Sequence, residues 1–286
     1  MPLKLSKLHN TMNAPIAVFD SGLGGLTVLR ALRNYLPQEN FLYFADTRFL
    51  PYGDRPEAFL RLRSQEIANG LIGMGARALV IACNTATAAA VDVIRHHVRI
   101  PVIALEPGVK PAVQATRCGA IGVLATTRTL ASTRYRNLLQ KYAENVDVLS
   151  QPCPGLAETI EAEGPDSPKV QHLLDTYLEP LRAAEVDVVV LGCTHYPWVR
   201  GAIARRMPAG VQILDTGEAV ARQVARCLHL SDTQQHQHAT PSRPNLEVLT
   251  SGGAFQVAAT IRRLWGQSLP VAHWEPTLHT TVVDGM

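Results

Sequence analysis

The chain has 286 residues, 47% hydrophobic and 18% charged, enough apolar material for two domains or one large α/β domain. Twenty-seven Lys and Arg against 24 Asp and Glu give a net charge of +3, and aromatic residues are only 6%. That balance excludes nucleic acid as a partner inferred from bulk charge or base stacking. No run approaches the roughly 18 consecutive apolar residues of a membrane-spanning helix, so no membrane partner is expected.

Residues 1–13 carry scattered Lys but no apolar core of a signal peptide, and read as a flexible N-terminal extension with Met12 as an alternative start. From there short apolar runs alternate with longer helical patterns. Strands are predicted at 16–19, 41–44, 78–82, 102–105, 120–124, 146–149, 186–191 and 212–214. Helical patterns fall at 25–36, 56–74, 85–97, 133–143, 169–184 and 218–230. The strand runs are continuously apolar rather than alternating, as expected when helices cover both faces of a parallel sheet. The polar stretch 231–245 reads as a linker, and the HQH run with His236 and His238 inside it reads as solvated loop. LEVLTSGG and AFQVAATIRRLWG then supply one more strand and helix.

A faint internal repeat sets the organisation. ALVIACNTA and VVVLGCTHY are both apolar strands ending in a small residue, a Cys and then polar groups. The fold class expected is therefore α/β, with two similar open parallel-sheet domains facing each other across a cleft. The second is inserted in the first: residues 14–107 plus 216–286 form one domain, and 108–215 the other.

Five widely spaced Cys (83, 118, 153, 193 and 227) point to free thiols in a reducing cytoplasm rather than a disulfide framework. No CxxC pair or zinc-type spacing occurs, so no metal is expected. Cys118, Cys153 and Cys227 read as packing residues. Cys83 and Cys193 differ: each ends a strand, where open α/β sheets bind ligands, and each is followed by hydrogen-bonding side chains (Asn84 and Thr85; Thr194 and His195).

Two thiols on opposite faces of one ligand suit inversion of a carbon stereocentre, one removing the Cα proton and the other returning one. A thiol is only a few per cent thiolate at neutral pH, so it needs help. A helix N-terminus after each Cys would stabilise thiolate, and Asp20 and His195 could each carry a proton for one of them. The blander readings are that Asp20 caps a helix and that His195 is a hydrogen-bonded core residue. The Ser21–Gly25 turn, SGLGG, offers backbone N–H groups as a carboxylate nest. No Lys sits in a strand-end cluster that would hold pyridoxal phosphate, so no cofactor is expected. A dinucleotide fingerprint built on Gly22, Gly24 and Asp46 fails, because Thr27 holds the third glycine position and Asp20 would face the pyrophosphate.

These segments resemble glutamate racemase, the cofactor-independent enzyme that supplies D-glutamate for peptidoglycan. The resemblance is carried by FDSGLGG at 19–25, YFADTRFLPYG at 43–53, IACNTAT at 81–87, IALEPGVKPA at 103–112, IGVLATTRTLAS at 121–132, LGCTHYP at 191–197 and ILDTGEAVA at 213–221. It implies that Cys83 acts on D-glutamate and Cys193 on L-glutamate, with Asp20 and His195 assisting. Asp20, Ser21, Tyr52, Gly53, Asn84, Thr85, Thr194 and His195 match positions that bind substrate in that family. Glu161 matches a carboxylate assisting Cys193, with Glu163 as competitor because one extra residue precedes the next Gly. The family commonly forms homodimers. Two alternatives remain: a racemase of aspartate or another amino acid, and a non-catalytic amino-acid sensor.

Overall fold

The structure is a computed structural model that describes residues 14–230 and 245–276. The N-terminal extension and most of the linker, including His236 and His238, lie outside the described residues.

Two parallel sheets form the framework. The first takes β1 (Ile16–Asp20), β2 (Phe41–Ala45), β3 (Ala78–Ile81), β4 (Val102–Ala104), β9 (Leu246–Thr250) and β10 (Val271–His273), in the order β10-β9-β2-β1-β3-β4. The second takes β5 (Ala120–Ala125), β6 (Asp147–Pro152), β7 (Val188–Leu191) and β8 (Gln212–Leu214), in the order β6-β5-β7-β8. Every pairing in both is parallel. The predicted strands are recovered to within a few residues. β10 is not predicted, because three residues carry too little periodicity to read.

The continuous apolar runs have the expected cause. In β1 every residue is buried, but Ile16 and Val18 join one core cluster while Ala17 and Phe19 join another on the opposite face. The edge strand β6 contrasts with it: its sequence DVLSQP is only partly buried and ends in Pro, which cannot extend a ladder. A second cluster behind the other sheet holds Ile121, Val123, Val188 and Val190.

The largest core cluster runs through both sheets, from Leu29 on α1 (Leu26–Tyr35) to Leu124, Leu191 and Val220. Val220 belongs to α10 (Gly217–Cys227), which lies against α1. The chain passes from the first sheet to the second after β4, and strands of the first sheet resume only at β9, after β8 and α10. The residues that follow β1, β3 and β7 come to one place, where Ser21, Cys83 and Cys193 line the same cavity.

Leu29 is fully buried in this shared cluster, so Leu29→Ala should cost about 2–5 kcal/mol in urea unfolding. A loss under about 1 kcal/mol would mean that the two sheets do not share a core there.

Candidate active site

Three strand ends deliver the chemistry. β1 ends in Asp20, followed by the Ser21–Gly25 turn into α1. After β3, Cys83 caps α3 (Asn84–His97), and its Sγ accepts a hydrogen bond from the Ala86 N–H at 3.4 Å. After β7 come Cys193, Thr194 and His195. Here the expectation of a helix after each Cys fails. A short 3-10 turn, Tyr196–Val199, follows His195, so Cys193 lacks the helix N-terminus that Cys83 has.

One cavity of about 30 Å³ is lined by both thiols together with Ser21, Tyr52, Gly53, Asn84, Thr85, Thr194 and His195. The structure therefore brings together every expected site residue except Asp20 and Glu161, which stand directly behind the lining.

Behind the lining, hydrogen bonds cross from one sheet's loops to the other's. Asp20 accepts from the Ser21 N–H at 2.8 Å, from the Gly25 N–H, and from the Thr194 hydroxyl at 3.2 Å. Glu161, on α7 (Leu156–Glu163), accepts from the Leu23 N–H at 2.8 Å and from His195 Nε2 at 2.6 Å. His195 Nδ1 lies 3.8 Å from Cys193 Sγ. On the other side Ser21 accepts from the Cys83 thiol at 3.5 Å. Glu161, rather than Glu163, is the carboxylate beside His195; Glu163 is exposed and lies 3.5 Å from Lys169. The predicted nest needs correcting: Ser21, Leu23 and Gly25 already give their N–H groups to Asp20 and Glu161. The turn binds the protein's own carboxylates.

Sequence reasoning missed Thr126 and Thr129, whose hydroxyls lie 3.1 and 3.3 Å from that of Thr85. Both stand in ATTRT after β5, the strand-end position that singled out the other clusters. Asp46 has both oxygens engaged, by Arg63 and by the Tyr52 hydroxyl, which closes the dinucleotide reading. Among the described residues, no group of three or more His, Cys, Asp or Glu is arranged to hold a metal ion.

Burial sets the ionisation. It pushes the Cys83 thiol up to about 12, helped by the nearby Asp20 charge and against the hydrogen bonds involving Ser21 and Ala86. It also raises Asp20, against the pull of His195 and the turn N–H groups. For His195 burial acts downward, but hydrogen bonds to Cys193 and Glu161 outweigh it and hold the imidazole well above its ordinary value. His195 thus stands between a carboxylate and a thiol, placed to pass a proton to or from Cys193.

The two-sheet α/β fold is that of a racemase framework, and the chain belongs to the Asp/Glu/hydantoin racemase family, whose model matches residues 29–224. It is 50% identical over 220 residues to glutamate racemase from Pseudomonas syringae pv. tomato, covering 77% of this chain and 80% of that one. Among solved structures, glutamate racemase isoform RacE1 from Bacillus anthracis superposes with a TM-score of 0.81 at 31% identity, covering 92% and 98% of the two chains. The Francisella tularensis glutamate racemase in complex with D-glutamate superposes at 0.78 with 28% identity, covering 92% and 98%.

The raised Cys83 thiol has a stability consequence. An unfolded thiol titrates near 8.5; from there up to about 12 the native state keeps a proton that the unfolded state has lost. Stability should therefore fall as pH rises through that window. Cys83→Ala should lessen the slope by up to about 1.4 kcal/mol per pH unit, measured by denaturant unfolding at pH 8–10.5. Identical slopes would show that Cys83 ionises as a free thiol does.

Proposed function

We propose that this chain interconverts L- and D-glutamate by transferring protons at Cα between Cys83 and Cys193, one on each face of the substrate. The observation that carries the reading is the single cavity lined by both buried thiols, each at the carboxyl end of a strand from a different sheet. The family and the glutamate racemases it resembles support the choice of substrate.

In one direction the thiolate of Cys83 takes the Cα proton of D-glutamate, and the thiol of Cys193 gives a proton to the opposite face. The product is L-glutamate, with Cys83 protonated and Cys193 ionised. The reverse direction exchanges the roles. Between turnovers His195 returns a proton to Cys193, Cys83 passes its proton by way of the Ser21 hydroxyl, 3.5 Å from both the thiol and Asp20, to the Asp20 carboxylate, and exchange with solvent restores both. Asn84, whose side-chain oxygen is buried and without a partner among the described residues, suits the substrate ammonium. Ser21, Tyr52, Gly53, Thr85 and Thr194 supply the rest of the polar wall. The two units close over the substrate about the passages near 106–108 and 215–217, excluding water. This takes 14–107 with 216–286 as one moving unit and 108–215 as the other. A product destined for peptidoglycan fits a cytoplasmic enzyme, and a homodimer is the assembly that light scattering should find.

Cys83→Ala and Cys193→Ala should each cut racemisation at least about 1,000-fold with the melting transition retained. Chiral chromatography with glutamate and aspartate assayed side by side reads this out. Appreciable turnover by either variant would overturn the two-thiol route. Turnover of aspartate alone would keep the route and change the substrate, whereas binding without turnover by the unaltered chain would make it a sensor.

A further inference from the structure

A second buried polar cluster lies beside the cavity without lining it. Asp46 directly follows β2, and Arg63 sits on α2 (Glu57–Gly73), so the two bracket the loop that carries Leu50, Pro51, Tyr52 and Gly53. All four of those residues line the cavity between the thiols. Asp46 is fully buried, and Arg63 is 5% exposed. Arg63 grips Asp46 with both arms of its fork, Nε to Oδ2 at 2.9 Å and Nη2 to Oδ1 at 2.7 Å. The Tyr52 hydroxyl donates to the same Oδ2 at 2.5 Å.

A buried ion pair is weak as a source of stability, because desolvation offsets the attraction. Its strength is directional: the planar guanidinium and carboxylate fix each other's orientation. Here that orientation passes straight to Tyr52. The fork is itself held, since Arg63 Nη2 is 2.9 Å from Glu275 and its guanidinium stacks 4.6 Å over Phe49. On the far side of the loop the Gly53 carbonyl accepts from Arg128 Nε at 3.2 Å, a contact reaching over from the other sheet's loops. With its hydroxyl given to Asp46, Tyr52 presents its ring and the following peptide to the cavity.

We propose that Asp46 and Arg63 are positioning residues for substrate binding, acting through the Tyr52 hydroxyl to hold the 50–53 wall in its binding geometry. The proposal rests on the cavity being the glutamate site. It places the pair's effect on substrate affinity rather than on proton transfer, because neither residue reaches the thiols or His195.

Steady-state kinetics on the full chain with each glutamate enantiomer tests this, alongside melting temperatures. Tyr52→Phe keeps the ring and removes the hydrogen bond; Asp46→Asn and Arg63→Lys break the fork. KM should rise about tenfold in Tyr52→Phe and Asp46→Asn. In Asp46→Asn and Arg63→Lys, kcat should stay within about threefold of the unaltered chain. Because the enantiomers have equal free energy, kcat/KM must fall by the same factor in both directions. A lowered melting temperature with KM unchanged in Tyr52→Phe and Asp46→Asn would overturn the proposal and leave a purely structural pair. If Asp46→Asn does not fold, Tyr52→Phe alone decides. If the unaltered chain does not turn over glutamate, the functional reading fails first, and that result is distinct from an unchanged KM in an active enzyme.

Discussion

The hydrogen bonds that cross between the two sheets' loops are the constraint on which the site depends. Thr194 gives its hydroxyl to Asp20, the Leu23 N–H goes to Glu161, and the Thr27 hydroxyl donates to the Thr194 carbonyl at 3.0 Å. Each is buried or partly buried, where an unmet partner costs about 1–3 kcal/mol, more if charged. Separating the sheets would break all three together, so the three bonds hold the site as one unit. Neither thiol alone gives a two-sided site; the crossing bonds fix where Cys193 stands relative to Cys83.

Those bonds also shape the electrostatics. Glu161 is shared between the Leu23 N–H and His195, so the carboxylate that meets the imidazole also ties α7 to the turn after β1. The turn in turn is wrapped around Asp20, with Tyr43 donating to the Gly22 carbonyl at 2.7 Å from beneath. Gly24 belongs at this junction because a Cβ there would run into His195 and Thr194. The two thiols consequently sit in unlike surroundings. Cys83 has a helix N-terminus and a serine hydroxyl, Cys193 an imidazole. Burial disfavours thiolate here, and a substrate ammonium brought between the two thiols would counter it.

Much of this is legible in the residues, for a physical reason. Parallel strands buried on both faces announce themselves as apolar runs, and ligands meet such sheets at their carboxyl ends, so Asp20, Cys83 and Cys193 stand out by position. Thr126 and Thr129 obey the same rule but lack a reactive group to draw notice. The 3-10 turn after His195 and the strand β10 are too short for periodicity to reveal. Which carboxylate meets His195 depends on the rotation of α7, where Glu161 and Glu163 differ by two residues and so by just over a half-turn. The pairing of Asp46 with Arg63 joins a strand end to a helix across a loop, and no local pattern encodes such a contact.

The central claim is that two distinct groups act on opposite faces of one carbon. Brief reaction of D-glutamate in deuterated buffer, followed by chiral separation and mass measurement, tests it most directly. Two bases predict L-glutamate carrying deuterium at Cα while the remaining D-glutamate keeps its protium. Protium carried over into the L-glutamate, or early deuterium in the recovered D-glutamate at a matching rate, would contradict it and point to a single group serving both faces.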